Sequence, residues 1–212
     1  MKGPFMETCL TTCISSVAET LRRGGLAAVP TETVYGLAAD GRNAAAVRKL
    51  YEVKGRPPRK PVSLLVPGLD ACAELCEEMP AAAVKLAEAF WPGPLTIVVR
   101  KSAAVPGIVT AGGDTVGLRC PLHPLTLELL RAFGGPLAAP SANLSGEPSP
   151  KSAPEVLEAL GGKIPFILDG GPCAVGIEST IVELTGPVPR ILRRGGLEPE
   201  EIANVLGTEV IA

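Results

Sequence analysis

Four polar segments of this chain carry the side-chain types that bind phosphates or small polar ligands. The densest is Lys54-Gly55-Arg56-Pro57-Pro58-Arg59-Lys60-Pro61, whose prolines stiffen the backbone and lower the entropy lost in holding cations toward one point. Such cations suit a phosphate clamp, and they equally suit a solvated face. In Pro30-Thr31-Glu32-Thr33-Val34-Tyr35-Gly36-Leu37, three hydroxyl or carboxyl side chains follow an apolar run. Beyond a strand's end that pattern fits a small polar ligand; it also fits the capped start of a helix. Ala138-Ala139-Pro140-Ser141-Ala142-Asn143-Leu144-Ser145-Gly146 offers the Ser141 hydroxyl and the Asn143 amide either to a nucleotide or to an ordinary Asx or Ser turn. Gly176-Ile177-Glu178-Ser179-Thr180 leads into an apolar run, and Arg193 ends the next one, either exposed or facing a ligand.

Charge narrows the classes of ligand. The net charge is −2, yet Arg42, Arg48, Lys49, Lys54, Arg56, Arg59 and Lys60 face only Asp40 and Glu52 between Asp40 and Ser63. Arg190, Arg193 and Arg194 form a second island without an acid. An acidic chain with two basic islands points to a local anion site rather than to general polyanion binding. Aromatics at 3% count against a base-stacking nucleic-acid binder. Neither a G-x4-G-K-[ST] loop nor a G-x-G-x-x-G helix start occurs. Phosphates would therefore be held by side-chain cations and isolated backbone amides.

The six cysteines contain no C-x2-C pair, so a structural zinc site is not expected and free, mostly buried thiols are. That usage suits a reducing cytosol, and a cytoplasmic location follows as an expectation. No apolar run approaches the roughly 18 residues that span a membrane, and Met1–Ile14 lacks a leader pattern. His123 is the single histidine and stands beside a proline at a helix start, as a cap neighbour rather than a catalyst.

The elements that must position these segments alternate. Helices are expected over Ser15–Arg23, from the Asn43 cap through Lys54, over Pro80–Phe90 and Pro124–Phe133, from the Ser152/Glu155 capping box through Leu160, and over Pro199–Leu206. Strands are expected at Leu26–Val29, Val62–Val66, Leu95–Arg100, Thr115–Arg119, Ile164–Leu168, Ser179–Leu184 and Val188–Arg193. Early alternation suggests α/β packing and the closely spaced late strands suggest antiparallel hairpins. The expected fold is α/β: one domain over residues 1–212 with a twisted, mixed parallel and antiparallel sheet flanked by helices.

Taken together, the segments PTETVYGL, KGRP with Lys60, APSANLSG, GIEST and RRGG resemble the YrdC-like threonylcarbamoyl-adenylate synthases, in that family's order and approximate spacing, from about Val17 to Gly196. The resemblance implies a mixed sheet with a positive concave face. It implies that Thr33, Arg119 and Ser179 hold L-threonine, Arg119 pairing its carboxylate. It implies ATP binding by Arg56, Lys60, Ser141, Ser149 and Arg193 with Thr115 and Asn143 nearby, and Lys54 and Arg56 as the cations that serve catalysis. One departure follows Lys60: relatives continue into a strand with a histidine where this chain has Leu65 or Val66.

The implied reaction converts L-threonine, bicarbonate and ATP, with Mg2+, into threonylcarbamoyl-AMP and pyrophosphate. No protein ligand set for a metal is expected. Downstream partners would be tRNA-modifying transferase proteins, with direct RNA contact open and no membrane partner. Two rivals stand beside it. A double-stranded RNA-binding module would use the same basic islands without catalysis. Carbamoyl transfer of the hydrogenase-maturation type would call for zinc-finger cysteine pairs and an acylphosphatase segment, which this sequence lacks.

Overall fold

The computed structural model describes residues 7–211. The first six residues of the stretch read as lacking a leader lie outside the described residues. In chain order the elements are β1 (Cys9–Thr11), α1 (Ile14–Arg22), β2 (Ala27–Val29), β3 (Gly36–Asp40), α2 (Ala44–Lys54), β4 (Leu64–Leu65), α3 (Ala81–Phe90), β5 (Leu95–Arg100), β6 (Thr115–Arg119), α4 (Pro124–Phe133), β7 (Leu137–Ala138), α5 (Ala153–Leu160), β8 (Phe166–Leu168), β9 (Thr180–Glu183), β10 (Arg190–Arg193) and α6 (Pro199–Leu206). A short 3-10 turn, Leu69–Cys72, follows β4.

Local chemistry fixes the ends that matter for the site. Asn43 Oδ1 accepts the Ala45 and Ala46 N–H groups at 3.0 and 3.2 Å and starts α2. Gly55, at φ 59°, takes the left-handed turn that stops α2 and releases Arg56 into a loop. At α5, Ser152 caps as expected, but the Glu155 carboxylate reaches Lys151 N, one residue before the cap, at 2.8 Å.

The ten strands form one mixed sheet in the order β1-β8-β2-β3-β7-β4-β6-β5-β9-β10. Parallel pairs are β1–β8, β2–β8, β4–β6 and β5–β9. The late strands part company: β9–β10 is the expected antiparallel hairpin, whereas β8 crosses to pair in parallel with β1 and β2. Conversely, β2 and β3 run antiparallel. The Pro30–Tyr35 segment between them is therefore a strand-to-strand connection, not a helix start.

Strand alternation sorts the side chains into two cores. Ala27, Val29, Ala38, Leu65 and Leu137 pack with Val17 and Leu21 of α1 and Leu129 and Leu130 of α4. Ala28, Leu37, Ala39, Leu64 and Ala138 face the other way, toward Leu50 of α2, Leu86 of α3, Val156 of α5 and Ile202 of α6. On β5, β6 and β9, Leu95, Ile97, Val116, Leu118 and Val182 join that second core. Their alternate neighbours, among them Thr96, Gly117, Arg119 and Ile181, point to the face that α1 and α4 cover only as far as β4. That half-face is where the site lies. No helix among the described residues is long and apolar enough to cross a membrane.

Candidate active site

A cavity opens on this half-face, and Thr33, Arg56, Arg119, Ser141, Ser179 and Arg193 all line it. Four separate sequence segments and the end of β6 thus converge on one place. Of the remaining expected residues, Lys54 and Asn143 lie buried behind the Ser141 wall, and Ser149 reaches the cavity through its bond to Glu178. Lys60 is exposed outside the wall, contributing its carbonyl to the loop. Thr115 begins β6 four residues before Arg119, about 14 Å away at strand rise, and does not line the cavity.

At one end, Thr31 and Thr33 organise each other. The Thr31 hydroxyl donates to Val34 O at 2.7 Å and accepts the Thr33 and Val34 N–H groups, each at 3.2 Å. Thr33 Oγ1 lies 2.9 Å from Thr31 Oγ1. Thr33 Oγ1 has acceptor capacity suited to an N–H of a ligand. Beside it, Arg119 and Glu32 form a buried pair, 8% and 6% exposed at the side chains, with Nη2 donating to Oε1 at 2.8 Å. Arg119 Nε donates to Gly93 O at 3.3 Å, and the second Glu32 oxygen accepts Leu122 N–H at 3.0 Å. Among the described residues Arg119 Nη1 has no hydrogen-bond partner, so a fixed, charged donor remains for a carboxylate.

Opposite, Ser179 immediately precedes β9. Its hydroxyl lies 2.8 Å from Thr96 Oγ1 and accepts Arg193 Nη2 at 3.1 Å; its carbonyl accepts Arg193 Nε and Nη2 at 3.0 and 2.8 Å. Arg193 is thus oriented by backbone. The Ser149 hydroxyl donates to Glu178 at 2.7 Å and holds that carboxyl below the usual carboxylate range. Across the cavity, Arg56 Nε and Nη2 donate to Lys60 O at 3.1 Å and Pro61 O at 2.8 Å, and the Tyr51 hydroxyl donates to Lys60 O at 2.7 Å. The loop whose prolines suggested stiffness is pinned by its own carbonyls.

Lys54 departs from expectation. Only 2% exposed, it turns away from the cavity, and its ammonium bonds to Ser141 O, Asn143 O (2.5 Å) and Asn143 Oδ1 (3.1 Å). Burial, with Arg56 adding repulsion, pulls its pKa down to about 7. His123 is the N-cap of α4, makes no side-chain cap bond and does not line the cavity.

Glu32, Thr96 and Glu178 are site residues that the sequence reading left unassigned. Glu32 had a usable signal: a carboxylate inside a polar segment entering the core requires a cation, and Arg119 is that cation. Thr96 had none, since a threonine within an apolar strand reads as core. Among the described residues no group of three His, Cys, Asp or Glu could hold a metal ion. Glu178 is the carboxylate that lines the cavity. This donor set fits Mg2+ carried by phosphates and water, with one protein oxygen at most.

A mixed α/β sheet with a cation- and hydroxyl-lined cleft in one half-face defines the class: an α/β domain whose cleft carries side-chain cations rather than a glycine-rich phosphate loop. Residues 19–195 match the Sua5–YciO–YrdC family model, described as telomere recombination. The chain belongs to this family. It is 48% identical over 88% of its length to the Pyrococcus abyssi threonylcarbamoyl-AMP synthase, and 45% identical over 92% to that of Bacillus subtilis. It spans about half the length of these two curated relatives, 55% and 56%. A Mycobacterium tuberculosis relative, 42% identical, is covered over 90% of its length. The solved structure of P. abyssi Sua5 complexed with L-threonine superposes with a TM-score of 0.92 at 44% identity, over 98% of this chain and 62% of that one.

Proposed function

We propose that this chain is an L-threonylcarbamoyl-AMP synthase, forming threonylcarbamoyl-AMP and pyrophosphate from L-threonine, bicarbonate and ATP. The observation that carries the reading is one cavity holding both a carboxylate-ready Arg119 beside the acceptor Thr33 and the backbone-oriented cations Arg56 and Arg193. The names of the relatives support it.

Threonine's carboxylate pairs with Arg119 Nη1, and its nitrogen lies against Thr33 Oγ1. The amine takes up bicarbonate with loss of water and becomes a carbamate. A carbamate oxygen forms a bond to the α-phosphorus of ATP; the bond to the bridging oxygen breaks, and pyrophosphate leaves with that electron pair. Negative charge meets negative charge in this step, so Arg56 and Arg193, fixed before the substrate arrives, lower its barrier. Glu178 would be the one protein oxygen available to an ATP-bound Mg2+, which when bound would supply further charge neutralisation on the phosphates. Ser141, Asn143 and Ser149 shape the nucleotide wall.

The RNA-binding alternative is not favoured. Arg56 and Arg193 are turned into a cavity by carbonyl partners rather than spread over a face. Six free cysteines support a reducing compartment, and we assign the reaction to the cytoplasm. The product is a reactive mixed anhydride, and we assign its transfer to tRNA to separate transferase proteins.

Arg56→Ala tests the cation assignment. Pyrophosphate release with all three substrates should fall at least about tenfold, roughly 1.4 kcal/mol of transition-state stabilisation, with the melting profile retained. Undiminished release by the folded variant removes Arg56 from the site.

A further inference from the structure

We infer that Lys54 is a positioning residue: its buried ammonium holds the Ser141–Asn143 loop in its ligand-binding shape and does not itself touch the nucleotide. An ammonium has three N–H donors, and the three acceptors Ser141 O, Asn143 O and Asn143 Oδ1 use all of them. No donor is left for a phosphate. The side chain is 2% exposed and does not line the cavity, whereas Arg56, two residues on, does. The end of α2 therefore forks, one cation directed inward and one toward the ligand.

The inward branch fixes the loop from both directions. Ser145 N donates to Lys54 O at 2.8 Å, so main chain and side chain of one residue clamp the segment from Ser141 to Ser145. Asn143 Oδ1 also accepts the Ser141 hydroxyl at 2.6 Å, and Asn143 Nδ2 bonds to Glu147 O. With the Ser141 carbonyl turned to Lys54, the N–H of the same peptide, on Ala142, points the opposite way and donates to Tyr35 O at 2.8 Å. Lys54 thus links the helix before the Arg56 loop to the wall that presents Ser141.

The inference takes its kinetic consequence from the proposed synthase reaction, but two of its tests need no activity. Lys54→Met removes every donor at nearly constant shape. In the ligand-free variant, amide hydrogen exchange across residues 141–147 should quicken about tenfold or more while β5 and β6 keep their protection. The KM for ATP should rise about tenfold with the KM for threonine within about twofold. Unaltered exchange across 141–147 overturns the inference, whatever happens to activity. Should the variant fail to fold, the unaltered protein is decisive. Its Lys54 Nζ protons should give a slowly exchanging 15N signal that stays in place when a non-hydrolysable ATP analogue binds. Rapid exchange in the free protein, or a large shift with the analogue, shows an open or phosphate-contacting lysine and contradicts the assignment.

Discussion

Arg119→Ala should destabilise the protein by about 3–5 kcal/mol and abolish threonine-dependent turnover. The substitution leaves the Glu32 carboxylate, 6% exposed at its side chain, without its cation. Its other hydrogen bond, from Leu122 N, cannot balance a buried charge. The loss divides into a structural and a chemical part, and a second variant separates them. In Arg119→Met with Glu32→Gln, the buried charges leave together, so most of the stability should return. Threonine binding should not return, because the donor for its carboxylate is gone. Denaturant melts and threonine titrations on both proteins check this. Recovery of threonine binding in the double variant would remove Arg119 from the amino-acid subsite.

Gly195→Ala should be nearly as damaging, although residue 195 carries no functional group. A Cβ there would stand 2.2 Å from Glu178 O, 2.5 Å from Ser179 C and 2.6 Å from Thr180 N. All three are backbone atoms, so no side chain can swing aside. The segment after β10 would have to move off the start of β9. That breaks the Gly196 N to Glu178 O bond of 3.0 Å and loosens the grip of Arg193 on Ser179. Overpacking of this kind costs about 1–3 kcal/mol. A shift of about 1 Å in Ser179 and Arg193 should cost about a hundredfold in activity. Gly107→Ala is the control: its Cβ would meet nothing within 4 Å, and stability and turnover should stay at the parent level. Parent-like activity in Gly195→Ala would mean that the β9–β10 geometry does not set the site.

The sequence was a good guide wherever one local signal controls an element. Asn43 and Gly55 bracket α2, and the α6 range Pro199–Leu206 matches in full. β5 and β6 have the expected bounds, and the shorter β2, β4 and β8 fall inside expected strands. β1 and β7 went unread because so short a run has no period to detect, and β3, Gly36–Asp40, went unread because it follows a polar segment with no alternation of its own. Pairing partners were also beyond local reading. The return of β8 to β1 and β2 is decided by which faces remain to be covered, and hairpin proximity gave the wrong neighbour.

The site shows the same division. Thr33, Arg56, Arg119, Ser141, Ser179 and Arg193 were singled out by residue type and resemblance, and they meet in one cavity. Direction was not legible. Lys54 and Arg56 read alike as cations in a stiff loop, yet one sits on the buried side of α2 and the other beyond the Gly55 turn. Glu32 and Thr96 act through partners 87 and 83 residues away in sequence, Arg119 and Ser179. Only the sheet order brings those pairs together.

The central claim is that one cavity joins threonine, bicarbonate and the α-phosphate of ATP, and product analysis with labelled bicarbonate tests it most directly. The chain is incubated with ATP, L-threonine and 13C-bicarbonate, and the quenched mixture is resolved by mass spectrometry. The account predicts threonylcarbamoyl-AMP carrying one labelled carbon, with pyrophosphate formed in step and neither product seen when threonine or bicarbonate is left out. Pyrophosphate release indifferent to threonine and bicarbonate, or an adenylate of threonine without the labelled carbon, would contradict it.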